Sequence, residues 1–134
     1  MDLSQINYLA VLVAAIACFV IGGLWYSNLM FAKIWMKESG MTEEKAKESS
    51  MIKVFGISFL LSLIISFNLA AFLGPQSDLK LGLMAGGLAG IGWVATSFGI
   101  NYLFEHRSFK LFLINAGYYA VTFIVAGGII GAWH

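Results

Sequence analysis

Apolar and polar positions fall in long blocks along this chain. No charged residue occurs between Asp2 and Lys33, between Lys53 and Asp78, or between Lys80 and Glu105, and none follows Lys110. At ~1.5 Å rise per residue, blocks of this length form roughly 30–40 Å of helix, enough to cross a bilayer core with some tilt. They predict four membrane helices at about residues 6–30, 52–73, 79–104 and 109–133, with one sizeable loop at 31–50. Gly74-Pro75-Gln76-Ser77 is a turn signal that makes the second and third helices a tight hairpin. Ser108 is placed to cap the fourth helix.

The loop has its own pattern. Phe31, Ile34 and Trp35 share a side with Lys33 and Lys37 beside them, as in a short amphipathic segment lying at the interface. Ser39-Gly40 breaks it. Thr42 then caps a polar helix whose first turn holds Glu43 and Glu44, and this helix is expected to run on into the second span.

Within the spans, small and polar residues recur every four positions. Ala10, Ala14, Cys18 and Gly22 form one seam, and Gly82, Gly86 and Gly90 form another where a second backbone can approach closely. One of these seams is expected to serve a partner chain, which points to a homodimer or small homo-oligomer with the third or fourth helix at the contact. Ser58, Ser62 and Ser66 repeat on the second helix, and Trp93, Ser97, Asn101 and Glu105 form a polar stripe on the third. Trp25 and Tyr26, with Lys33 and Trp35, read as interface anchors.

Composition and charge add to this picture. Of 134 residues 60% are hydrophobic and 11% charged, far more apolar surface than a soluble domain of this length can bury. The chain is read as a single transmembrane domain, 1–134: an all-α integral membrane four-helix bundle with a short cytoplasmic amphipathic segment between helices 1 and 2. A net charge of +1 gives no reason to expect nucleic acid. Lys33, Lys37, Lys45, Lys47, Lys53, Arg107 and Lys110 all lie on one side of the bundle, and Lys80 alone lies on the other. The positive-inside rule then puts both termini outside (N-out/C-out) and both longer loops in the cytoplasm. The first stretch lacks a basic n-region and is too long for a signal h-region, so it is read as a retained helix. The single cysteine, Cys18, excludes an intrachain disulfide.

The polar chemistry gathers at the cytoplasmic end. Glu105, His106, Arg107 and Lys110 surround the start of the fourth helix, whose positive dipole end invites an anion; headgroup anchoring is the alternative reading of the same basic residues. Asn115 lies roughly 10 Å below that start, and a carboxamide at such depth needs a partner. Asn101 is the obvious one, with Tyr118 on the same side and Ser58 at similar depth. These groups either line a vestibule or glue helices together. No Asp, Glu, Lys or Arg occupies the middle of a span, which argues against a proton-coupled exchanger. No phosphate loop or metal-ligand spacing is present, so no cofactor, metal or catalytic residue is assigned.

Gly23-Leu24-Trp25-Tyr26-Ser27-Asn28, followed by Phe31, Lys33 and Trp35, and Phe104-Glu105-His106-Arg107-Ser108 leading into Leu113-Ile114-Asn115-Ala116-Gly117-Tyr118, are distinctive segments. With four helices in a chain this short, they resemble a family of mostly bacterial membrane proteins catalogued as domain of unknown function 1761. The resemblance covers nearly the whole chain. Asn28 stands where that family commonly has a proline. The resemblance implies a small four-helix membrane fold in a bacterial inner membrane, and it brings no activity with it.

Two functional readings follow. One is an oligomeric permeation or small-ligand-binding protein whose cytoplasmic vestibule holds Ser58, Asn101, Asn115 and Tyr118. The alternative is a non-transporting module that binds anionic lipid or a partner protein through its basic cytoplasmic face. A membrane-embedded enzyme is the least supported.

Overall fold

A computed structural model describes residues 2–133; the two terminal residues of the expected 1–134 domain lie outside them. After a 3-10 turn at Leu3–Gln5, the elements are α1 (Tyr8–Trp25), α2 (Ala32–Ser39), α3 (Glu43–Glu48), α4 (Met51–Leu73), α5 (Leu79–Ala89), a π-helical segment (Gly90–Ala95), α6 (Thr96–Glu105) and α7 (Phe109–Ala132). α5, the π segment and α6 are continuous, so that α1, α4, the span Leu79–Glu105 and α7 are four helices long and apolar enough to cross a membrane. No strand occurs among the described residues. One end of the bundle carries both termini and the α4–α5 turn. The other, the loop end, carries α2, α3 and the α6–α7 turn.

Side chains cap every span at its start. Asn7 accepts from the Ala10 amide, Ser50 from Lys53, Asp78 from Leu81 and Ser108 from Leu111, satisfying donors that the first turn leaves open. Two boundaries differ from the sequence reading. α1 ends at Trp25, five residues early, because Ser27 begins a turn: its hydroxyl donates to the Leu24 carbonyl at 2.6 Å, and the Phe31 amide closes back on the Trp25 carbonyl at 3.0 Å. The polar helix α3 does not run into α4. Ser49 is extended and Ser50 caps a new helix, since a serine hydroxyl competes well for the first free amides.

α7 is the centre of the bundle, and residues along its whole length are buried, from Leu111 and Ile114 to Ile130 and Gly131. Its closest neighbour is α5. A methyl group on Gly82 would overlap the Gly127 carbonyl, one on Gly86 the Phe123 carbonyl, and one on Gly131 the Asp78 carbonyl. Backbones this close gain dispersion and Cα–H···O contacts that bulkier side chains would forbid. The seam Ala10/Ala14/Cys18 is likewise buried, in a cluster with Leu69, Ala70, Ala126 and Ile130. Ala10, Ala14 and Cys18 of one small-residue seam and Gly82, Gly86 and Gly90 of the other are thus packed inside one chain. The α4–α5 turn is short, with Gly74 at φ +76°, yet α5 leans on α7 far more than on α4.

α4 packs unevenly. Its buried residues, Ser66, Leu69 and Ala70, all lie in the half toward the termini, while every residue of 51–58 is exposed. The loop-end half of α4 therefore stands away from α1 and α7. Phe19 of α1 bridges part of the gap, edge-on to Phe55 and Phe59 with ring centroids 5.7 and 5.9 Å apart.

Candidate functional site

The site begins with two aromatic residues at the end of α1. Trp25 and Tyr26, expected from the sequence as interface anchors, both turn inward and are half-buried. The Trp25 indole N–H donates to the Ile114 carbonyl of α7 at 2.9 Å. Gly117 permits this, because a methyl there would stand 3.3 Å from the indole ring. The Tyr26 hydroxyl donates to Asn115 Oδ1 at 2.7 Å, and Asn115 Nδ2 donates to the Tyr102 hydroxyl at 2.7 Å. One carboxamide thereby ties α1, α6 and α7 together. Trp35 of α2 lies edge-on to Tyr26 at 5.8 Å and covers this junction. Lys33 is exposed.

Asn101, the partner that sequence spacing offers for Asn115, is not used: it is exposed on the outer side of α6. The reason is the π segment. In a straight α-helix each four-residue step turns by about 40°, so a face running through Gly82, Gly86 and Gly90 would drift away from α7 within three further steps. The wider π turn takes up that drift. The inward face then continues to Phe98 and Tyr102, with Phe98 stacked on Tyr119 of α7 at 5.3 Å, and the stripe Trp93, Ser97, Asn101, Glu105 is exposed.

Below the junction is a groove of about 480 Å³ in the gap left by α4. Its walls are Phe19, Gly22, Gly23 and Tyr26 of α1, Val54, Phe55, Ser58, Leu61, Ser62 and Ile65 of α4, and Tyr118 and Tyr119 of α7. No Asp, Glu, Lys or Arg lines it. Three hydroxyls there already donate within the protein: Tyr26 to Asn115, Tyr118 to the Cys18 carbonyl at 3.1 Å, and Ser62 to the Ser58 carbonyl at 3.0 Å. The hydroxyls of Ser58 and Tyr119 have no hydrogen-bond partner among the described residues. The volume is in the range of small-molecule sites, and apolar walls with a few polar groups are their usual lining.

The structure therefore brings Ser58 and Tyr118 into one groove, puts Asn115 in the closed network beside it, and leaves Asn101 outside. Glu105, His106 and Arg107 line a different feature, a shallow open cleft of about 660 Å³ at the loop end, with Lys37, Glu38, Ser39, Gly40 and Ser108. Lys110 is exposed and not part of that lining. Lys37 and Arg107 are matched there by Glu38 and Glu105, so the cleft is not a basic patch. Arg107 also donates to the Ser39 carbonyl at 3.4 Å. His106 adopts the left-handed conformation (φ +57°), and the Arg107 amide bonds the Tyr102 carbonyl at 2.9 Å. These two residues terminate α6 in the manner of a helix C-cap.

Sequence reasoning missed Tyr102, Tyr119 and Phe19. A four-residue period could not single out Tyr102, because without the π segment that face drifts away from α7. At the opposite end a cavity of about 410 Å³ is lined by Asp2, Gln5, Gly74, Pro75 and Trp133, among others. Hydrogen bonds from the hydroxyl and then the amide of Ser4 hold the Asp2 carboxyl below its usual range. No cluster of His, Cys, Asp and Glu able to hold a metal occurs among the described residues.

The family described as "Protein of unknown function (DUF1761)" matches the chain over residues 9–131. No curated protein and no solved structure matches it.

Proposed function

From the premise that this chain belongs to the DUF1761 family, described as of unknown function, we propose that it is a multi-pass membrane protein that binds an uncharged amphiphile in the groove between α1, α4 and α7. The observation that carries this reading is the pairing of apolar walls with two unused hydroxyls, Ser58 and Tyr119, and no charge. A ligand with a hydroxyl or carbonyl head and an apolar body satisfies both. An ion does not, since nothing in the groove would replace its hydration shell. The groove lies in the half of the bundle nearest the loops. By the lysine and arginine asymmetry that half belongs to the cytoplasmic leaflet, with both termini outside.

Binding fits better than passage across the membrane. Toward the termini the gap between α1, α4 and α7 is filled by Ala10, Ala14, Ser66, Leu69, Ala70 and Ala126, all buried, so no polar route continues beyond the groove. The balanced charge of the loop-end cleft likewise gives little support to an anionic-lipid site at Arg107.

Photolabelling tests the proposal. A diazirine-bearing medium-chain alcohol is added to the protein in nanodiscs, and labelled peptides are mapped by mass spectrometry. Labelling concentrated on the α4 and α7 groove residues, and lowered several-fold by Ser58→Ala with Tyr119→Phe but not by Arg107→Ala, supports the reading. Label spread evenly over all lipid-facing residues overturns it. Glycerol flux in proteoliposomes above that of protein-free vesicles would return permeation to first place.

A further inference from the structure

The span Leu79–Glu105 presents a face to the bilayer that its own bundle does not use. Its glycine side lies on α7, and Gly82, Gly86 and Gly90 are its only buried residues among those described. Near the midpoint of this 27-residue span stands Trp93, 70% exposed. Its indole is therefore roughly 15 Å from either edge of the hydrocarbon core. Tryptophan ordinarily sits at headgroup level, where its N–H is satisfied. Here the N–H has no hydrogen-bond partner among the described residues, and neither has the exposed carboxamide of Asn101 two turns further on.

The same face supplies acceptors. The hydroxyls of Thr96 and Ser97 donate to the carbonyls of Gly92 and Trp93 in the π segment, which leaves their oxygen lone pairs free to accept. Beside Trp93 the surface is flat, since a methyl on Gly92 would meet nothing within 4 Å. Lipid chains offer no partner for an indole N–H at the depth of Trp93. A second protein surface does.

We propose that the face around Trp93 is the contact between two copies of this chain, side by side about a twofold axis along the bilayer normal. Two copies inserted the same way round meet at equal depth, so a residue near the axis meets its own counterpart. The residues here suit that symmetry. Indole packs on indole, a carboxamide is both donor and acceptor for another carboxamide, and the Trp93 N–H of one copy can reach a Thr96 or Ser97 oxygen of the other. Helix association in lipid rests on such packing and hydrogen bonds rather than on hydrophobic burial.

Oxidative cross-linking of the full chain in membranes tests this. Cys18, which is buried, is first replaced by serine. Ile100→Cys, on the proposed face, should give a disulfide-linked dimer at least tenfold more readily than Ile64→Cys on α4; both positions are exposed. Light scattering of the unmodified protein in mild detergent should return twice the mass of one chain. Gly92→Leu fills empty space within one copy but wedges the contact. It should leave the thermal melt of the single chain in place, lower the Ile100→Cys cross-link at least tenfold and halve the measured mass. A single-chain mass for the unmodified protein at every protein-to-lipid ratio overturns the proposal. So does equal cross-linking from Ile64→Cys, or a cross-link that Gly92→Leu leaves unchanged.

Discussion

Tyr26 and Asn115 are 89 positions apart in the chain, yet the tyrosine hydroxyl donates to the asparagine carboxamide at 2.7 Å, and that carboxamide passes a second 2.7 Å bond to Tyr102. Three of the four spans meet at this one polar side chain. In a bilayer such bonds contribute about 0.6–2 kcal/mol each. Tyr26→Phe should therefore destabilise the protein by about 1 kcal/mol. Asn115→Leu, which removes both bonds and leaves two hydroxyls searching, should destabilise it by about 2–3 kcal/mol. Reversible unfolding in mixed micelles measures both. An Asn101→Leu variant should change stability by less than about 0.5 kcal/mol in the same assay.

The glycines divide into two kinds. Gly82→Leu and Gly86→Leu force side-chain atoms into the α7 backbone, and each should destabilise by roughly 3 kcal/mol or abolish folding. Gly56→Ala meets open space and should be neutral or stabilising by up to about 1 kcal/mol, because alanine restricts the unfolded chain and favours helix. If Gly86→Leu and Gly56→Ala behave alike, the close α5–α7 contact is not what holds the third span.

His106 holds a left-handed backbone conformation that glycine adopts freely. His106→Gly should be neutral or stabilising by a few tenths of a kcal/mol, whereas His106→Val should lose about 1–2 kcal/mol because a β-branched residue is strained there. An activity that required the imidazole would be lost in both variants in a functional assay, including the one whose unfolding is unchanged.

Ser66 is fully buried, and its hydroxyl has no hydrogen-bond partner among the described residues. An unpaired buried hydroxyl is unfavourable by about 1–3 kcal/mol. Ser66→Ala should then raise stability by about 1 kcal/mol, and Ser66→Val should lower it by overfilling a closely packed site. A loss of stability in Ser66→Ala would mean that the hydroxyl has an acceptor after all.

Much of the architecture could be read from the residues. The uncharged blocks, the Gly-Pro turn and the capping residues Ser108 and Thr42 mark elements whose causes are local. A run of apolar residues long enough to cross a bilayer can do little else, and a serine before a helix finds the amide donors it accepts from within one turn. Asn115 could be singled out for the same kind of reason, since a carboxamide at depth must find a partner wherever the chain goes.

What that partner is, only the tertiary structure decided. A four-residue period says which residues share a face of one helix, and nothing about which helix that face meets. The π segment at Gly90–Ala95 changed the facing of everything after it, turning Tyr102 inward and Asn101 outward. Likewise, the groove exists because the loop-end half of α4 stands off from its neighbours, a matter of how several helices lean at once. Composition and periodicity thus determined a four-span membrane protein and most of its helix ends. The junction at Asn115, the groove beside Ser58 and Tyr119, and the free face around Trp93 depend on relative helix placement, which backbone contacts such as Gly82 on Gly127 impose and no single helix encodes.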